Sequence, residues 1–460
     1  MPLSRRTFLS GLGSSLTLAA CSQLPKFSLT SGNEEYDYIL TAEPAPIELI
    51  PGTTTPAWCF NQGFPSPVIR AKQGKEVRIL FRNRLPEATT IHWHGLRIPI
   101  EMDGVPFLSQ PPIQPGEDFL YRFTPPDAGT FWYHPHVNSL VQLGKGLVGP
   151  IIVDEAEPVA FDADLPLMMK NWHINDDGSF APFTSPRAAF RMGTPGAFES
   201  VNGIQNPSYP VRPGSLVRLR FLNVDNTVMY KVAIPDHQAW IIAIDGSPVA
   251  KPIPLEQHEM GPGMRLDVAL IAPAESGATV SIKNAKGRLL FNMLELKTEG
   301  EPIAAARSIT PLPVNPLPEP DLDNAETINF VFEWEGAVTP VNRDGKTNYK
   351  FWTMNRRAWE GMSADNIPEP LATLELGKTY IFRLKNVTPH SHPIHLHGFI
   401  WSVLRSNQKA FDLFHTDTVL LQKNEMVEVA FVADNPGHWM YHCHVIEHMK
   451  TGLMGYITVK

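Results

Sequence analysis

Apolar residues fall on alternate positions in three well-separated segments of this chain. Between Gly74 and Asn83 they are Val77, Ile79 and Phe81. Between Gly214 and Asn223 they are Val217, Leu219 and Phe221, and between Gly377 and Asn386 they are Tyr380, Phe382 and Leu384. A period of two marks a half-buried strand, because successive side chains point to opposite faces of a sheet. Each segment runs from a turn glycine to a closing asparagine over the same interval, so the three are copies of one unit.

The copies extend beyond the asparagine. Nine residues on stand His92-Trp93-His94-Gly95 in the first and His395-Leu396-His397-Gly398 in the third, where the second has Val232-Ala233-Ile234. A later element aligns without gaps. Glu117, Phe123, Gly129 and Tyr133-His134-Pro135-His136 match Glu425, Phe431, Gly437 and Tyr441-His442-Cys443-His444. The middle copy keeps a weaker version between Gly263 and Gly277, with no histidine pair after it. Many short strands with turn signals indicate β-sandwiches. The expected architecture is all-β: a leader over 1–33, then three tandem sandwich domains over 34–155, 156–319 and 320–460, with little helix. The proline-rich stretch from Thr310 to Pro320 reads as an extended linker.

Composition narrows the function. The net charge of −8 comes with no basic stripe, so nucleic acid is not an expected partner. Three cysteines, Cys21, Cys59 and Cys443, are too few for a disulfide framework. Cys59 reads as a small buried hydrophobe. Ser4-Arg5-Arg6-Thr7-Phe8-Leu9 has the twin-arginine form, followed by a short apolar run to Ala20. Export by the Tat route to the periplasm or cell envelope is expected. Leu18-Ala19-Ala20-Cys21 resembles a lipobox, which would make Cys21 a lipid anchor; cleavage elsewhere would discard it. No later segment is apolar enough to cross a bilayer as a helix.

The first and third copies each carry two His-x-His pairs on matching elements. Alternation puts both rings of a pair on one face. If these two domains face each other, eight imidazoles converge: His92, His94, His134, His136, His395, His397, His442 and His444. Such a set suits copper, zinc or iron. Cys443 then points away from His442 and His444. With His392 and His448 it forms a His₂Cys set, the donor set of a blue-copper electron-transfer site. The first copy has Thr89, Pro135 and Leu140 at the equivalent places, so only one such site is expected.

His-Trp-His-Gly, His-Pro-His, His-Pro-Ile-His-Leu-His-Gly and His-Cys-His-x₃-His resemble the four copper signatures of the multicopper oxidases, and the three-domain bacterial laccase-like branch in particular. The resemblance implies cupredoxin-like Greek-key domains and four copper ions. It assigns His392, Cys443 and His448 to type 1 copper, and His92 and His395 to type 2. One type 3 copper takes His94, His134 and His444; the other takes His136, His397 and His442. Electrons from a small reductant would pass from Cys443 through His442 and His444 to a cluster that reduces O₂ to water.

The same comparison puts Leu453 at the axial position of type 1 copper, where many bacterial members have methionine; Met454 follows it. Loss of that weak donor favours Cu(I) and a higher potential. Asp103 resembles the family's proton-relay aspartate, although Asp103-Gly104 also suits a turn. Glu447 is a second relay candidate, or a carboxylate that binds N–H groups. Relatives with an acid directly after the last histidine use it as a relay; here Met449 stands there. The other histidines, His173, His237, His258, His390, His415 and His438, read as surface or core residues, with His390 and His415 the two that would lie near a substrate mouth. In the third domain only Met354 and Met362 precede His392, so no methionine-rich insert covers the copper from that side. The expected activity is laccase-like oxidation of phenols and aromatic amines by a monomer; the alternative is a metallo-oxidase for Cu(I), Fe(II) or Mn(II).

Overall fold

The computed structural model describes residues 36–334, 351–359 and 362–460. The twin-arginine segment and Cys21 lie outside them. Strands dominate, and the described α-helices are short: Ser139–Gly144, Pro186–Ala189 and Ile446–Lys450. Among the described residues, six sheets fall into three pairs in chain order, each pair closing a hydrophobic core of its own.

The three sequence copies become three equivalent central strands, Val77–Asn83, Leu216–Asn223 and Thr379–Asn386. Each runs parallel to the first strand of its unit, namely Tyr38–Ile47, Ala163–Trp172 and Glu326–Trp334. Each also pairs antiparallel with a later strand, Asp118–Phe123, Arg265–Ile271 or Met426–Val432. The opening glycines, Gly74, Gly214 and Gly377, have φ of 71°, 72° and 82°, which a turn of this kind requires and a Cβ disfavours.

The closing asparagines have one job. Asn83 Nδ2 donates to the Glu87 and Ile113 carbonyls, while its Oδ1 accepts the Leu85 N–H. Asn223 does the same with Val228, Met260 and Asp225, and Asn386 with His390, Gln422 and Thr388. Each amide ties the end of its strand to the following loop and to a second segment further along.

The middle strand departs from the half-buried pattern, since all of Leu216–Asn223 is buried. Its outward Arg218 and Arg220 lie under the first domain. Arg218 pairs with Asp267 at 2.7 Å and Glu155 at 2.8 Å; Arg220 pairs with Asp164 and donates to Thr130 Oγ1. Polar alternation here records an ionic interface rather than solvent. The proline-rich stretch is outside the sheets but tied down: Asn315 exchanges two hydrogen bonds of 2.9 Å with the backbone of Ala128.

Candidate metal centre

Strand His92–His94 pairs with Gly129–His134 so that His92 stands opposite His134. In the third unit His392–Leu396 pairs with Gly437–Cys443 so that His395 stands opposite His442. His136, His397 and His444 follow just beyond strand ends. The two sets meet face to face. The His92 ring stacks on His397 and the His94 ring on His395, each at 3.8 Å between centroids. The eight imidazoles are thus brought together, and all are buried.

Six of the eight rings are oriented from behind by an acceptor. His92 Nδ1–H donates to the Asp103 carbonyl at 2.8 Å and His395 Nδ1–H to the Asp417 carbonyl at 2.8 Å. His134 and His442 use Nδ1–H on the Pro135 and Cys443 carbonyls. His397 Nδ1–H donates to Asp103 Oδ2 at 2.9 Å. His94 is turned the other way, with Nε2–H on Asp417 Oδ1 at 3.2 Å. Because carbonyls and carboxylates only accept, these bonds fix the tautomers and leave lone pairs on the opposite nitrogens.

Those nitrogens test the fit to a metal. Nε2 of His92, His134 and His395 and Nδ1 of His94 find no hydrogen-bond partner among the described residues. Nε2 of His397 and of His442 face each other at 3.1 Å, two lone pairs that a cation between them would reconcile. Ligand atoms of His94, His134 and His444 lie within 4.8 Å of one another, as do those of His136, His397 and His442. His92, His94 and His395 form a further such group. Burial, reinforced by neighbouring imidazoles, holds His94, His134, His136 and His444 well below the usual histidine range, so the rings are neutral donors.

The second constellation is His392, Cys443 and His448, each fully buried. Cys443 Sγ lies 3.6 Å from His392 Nδ1 and 3.6 Å from His448 Nδ1, and the two nitrogens are 3.1 Å apart. Thr388 Oγ1, which donates to the His390 carbonyl, accepts His392 Nε2–H; the Arg191 carbonyl accepts His448 Nε2–H. Two imidazole lone pairs and one sulfur therefore converge. This is a soft N₂S set that fits copper. Burial pushes the Cys443 thiol up, a cost that a bound cation reverses by taking the thiolate. Leu453 packs in the same core cluster as Cys443, whereas Met454 belongs to the cluster around Trp132 and Met449.

Asp103 sits at the end of the 3₁₀ turn Ile100–Met102, bonded to both His92 and His397. The turn reading holds as well. Gly104 has φ +78°, and a Cβ there would lie 1.8 Å from the Ile91 carbonyl oxygen. Glu447 is placed differently: among the described residues its carboxylate accepts only from Thr184, Thr194 and Thr227. Met449 lines an apolar cavity of about 470 Å³ that reaches His136 and is also bordered by Leu140, Met362 and Met454. Cys59 is fully buried among Ala45 and Ala57. His173 is buried against the Thr194 carbonyl, and His390 stands 6.0 Å from Trp352 beside the His₂Cys set. His415 lies on strand Phe414–Thr416, bonded to Ser402. His237 binds the Ile271 carbonyl, His438 binds Thr458, and His258 is half-buried on strand His258–Met260.

Three residues at the cluster escape sequence reasoning. Arg265, from the middle unit, spends Nη1 and Nη2 on Asp417, donates Nε–H to the Thr130 carbonyl, and is fully buried. Burial alone would raise Asp417; the Arg265 charge and hydrogen bonds hold it below the usual carboxylate range. Gly263 lies so close that a Cβ would stand 2.8 Å from the His444 ring and 3.1 Å from His94. The one signal was the weak repeat beginning at Gly263, which carries no ligand and so drew no functional reading.

Comparison with known proteins gives the same picture over the whole chain. Three sequence families described as multicopper oxidase match residues 41–158, 129–280 and 339–460. The multicopper oxidase MmcO of Mycobacterium tuberculosis is 29% identical, covering 98% of this chain and 95% of that protein. Laccase-1 of Fomitopsis schrenkii is 30% identical over 85% of this chain and 80% of its own. The crystal structure of a multicopper oxidase from Pseudomonas thermotolerans superposes with a TM-score of 0.84 and 45% identity, covering 92% of this chain and 98% of that one. Likeness on this scale, with paired cupredoxin-like sheets delivering buried neutral imidazoles and a cysteine, makes the chain a member of the multicopper oxidase family, copper-dependent oxidoreductases that use O₂.

Proposed function

We propose that this protein is a laccase-like oxidase holding four copper ions: type 1 at His392, Cys443 and His448; type 2 at His92 and His395; and type 3 at His94, His134, His444 and at His136, His397, His442. Bound there, copper would take single electrons from phenols or aromatic amines and supply the four-electron reduction of O₂ to water. The observation that carries the reading is the convergence of partnerless ring nitrogens from two domains beside an N₂S set one residue away. Cys443 is joined by backbone to His442 and His444, so a few covalent bonds link its sulfur to two rings of the cluster. Asp103 is placed to pass protons, since its carboxylate touches His397 at 2.9 Å and lies 3.2 Å from His92 Nδ1. The largely apolar cavity at His136 would give O₂ an approach to the cluster. Leu453, buried in the same core cluster as Cys443, would be the axial residue of that type 1 copper and would offer it no donor atom.

The reading extends to organisation and placement: cupredoxin-like domains over 34–155, 156–319 and 320–460, a monomer, and Tat export to the periplasm or cell envelope, with Cys21 either a lipid anchor or discarded by cleavage elsewhere. A second substrate class, a metal ion such as Cu(I), is favoured by the covered edge of His448, which leaves no room for ring contact. The test is O₂ uptake by copper-loaded protein with a bulky phenol, without and with excess copper ions. Uptake without added copper supports the phenol oxidase. Uptake that requires Cu(I) or excess copper moves the assignment to a metallo-oxidase, and no uptake with any donor overturns both.

A further inference from the structure

Segment 184–194 belongs to the middle part of the chain, yet it lies across His448. The Arg191 carbonyl accepts His448 Nε2–H at 2.6 Å. The Ala189 carbonyl accepts the Trp352 indole N–H at 2.9 Å, and the Trp352 ring stands 4.4 Å from His448 and 4.9 Å from His392. Ala189 is itself packed into the core of the third unit. His392 and His448 are both 0% exposed.

What holds the segment down is the residue before His448. The Glu447 carboxylate is 1% exposed. It accepts Thr184 Oγ1–H at 2.6 Å and Thr194 Oγ1–H at 2.8 Å, the Thr194 backbone N–H, and Thr227 Oγ1–H at 3.3 Å. Ser185 N–H donates to Thr194 Oγ1 at 3.0 Å, closing the segment into a loop whose two ends meet at that carboxylate. Gly193, at φ +88°, lets the backbone press in; a Cβ there would lie 2.7 Å from Glu447 Oε2. A buried carboxylate needs its oxygens hydrogen-bonded, and these donors all come from the overlying segment and its neighbour Thr227. Among the described residues, no partner of this carboxylate is a ring of either metal set.

We propose that Glu447 is a specificity-determining anchor, pinning 184–194 as a cap that keeps bulky organic reductants off the ring edge of His448. This rests on reading His392, Cys443 and His448 as the electron-accepting site. A donor gives up one electron, and a phenol its proton to solvent, across the cap rather than by ring contact. A bulky phenol that gains from packing on the ring is penalised. A small outer-sphere donor is not.

The test replaces two donors without touching a ligand: Thr184→Val with Thr194→Val, and Thr184→Val alone as the milder variant should the pair fail to load copper. In copper-loaded protein, amide hydrogen exchange over 188–194 should quicken by about tenfold or more, the loss expected when hydroxyls no longer bind a buried charge. KM for a bulky phenol should fall about fivefold or more, while kcat with ferrocyanide stays within about twofold, as direct ring contact becomes available to the large donor alone. Unchanged exchange would overturn the anchor. Faster exchange with an unchanged or higher phenol KM would overturn the gate. Failure of the type 1 reading shows separately, as absence of O₂ uptake with ferrocyanide in the unaltered protein, while the exchange measurement still reads the anchor.

Discussion

At the residue scale, two side chains decide more than their neighbours. Leu453, the axial residue of the proposed type 1 site, is fully buried in the cluster that contains Cys443, and Met454 lies in another cluster. Leu453→Met is close to volume-conserving and should cost under about 1.5 kcal/mol. It adds a weak thioether donor that favours Cu(II), so the reduction potential should fall. Redox titration of the blue band checks this, and an unchanged or higher potential would sink it. Arg265 is the second. It carries the only cationic partners of Asp417 among the described residues, at the two guanidinium nitrogens. Asp417 in turn holds His94 through its carboxylate and His395 through its carbonyl. Arg265→Met leaves a buried charge unpaired, which costs about 3–5 kcal/mol. Urea unfolding of the copper-loaded variant should show that loss, together with an altered type 2 electron paramagnetic resonance signal. Stability within about 1 kcal/mol of the parent would mean Asp417 is neutralised some other way.

At the element scale, the strand repeat was legible because alternation is a direct projection of sheet geometry onto sequence. The histidine pairs were legible for the same reason: a ring at positions i and i+2 of a strand must share a face. The asparagines were visible as repeats but not as clips, since their partners are backbone carbonyls several residues on or in another strand, and backbone leaves no mark in composition. Asn223→Ala is the informative variant. It leaves the Val228 and Met260 carbonyls without their donor in the unit that carries no ligand. The expected cost is about 1–3 kcal/mol, read as a lower urea midpoint with copper content and the blue band unchanged. Copper loss at constant stability would tie this loop to the metal sites instead. The buried row Arg218 and Arg220 shows where alternation misleads. A polar residue on the outer face reads as solvent-facing until the neighbouring domain that covers it is known.

At the scale of the whole molecule, the unit without copper ligands supplies the frame. It lends Arg265 and Gly263 to the cluster and segment 184–194 to the His₂Cys set, so all three units close on the chemistry. Sequence reasoning located the donors, which are chemically marked, but not this frame, which consists of a guanidinium, a missing Cβ and a carbonyl. Gathering so many neutral imidazoles has a consequence for acid stability. Burial first, and mutual repulsion second, hold His94, His134, His136, His392, His397, His442 and His444 well below the usual range, and burial brings His448 down to about 3. The unfolded chain takes up these protons near pH 6.5. Below that pH the unfolded state binds more protons than the copper-free native state, so native stability falls as pH falls toward the depressed values. Each such ring contributes about 1.4 kcal/mol per pH unit in that window, and a handful together exceed the roughly 5–15 kcal/mol a protein has in hand. Copper-free protein should therefore unfold cooperatively between about pH 6 and pH 4. Bound copper occupies the same lone pairs and must be displaced by protons, so the loaded protein should unfold at a lower pH. Circular dichroism against pH with and without copper decides the matter. A copper-free midpoint at or below the loaded one would mean that the converging nitrogens are not where the metal binds.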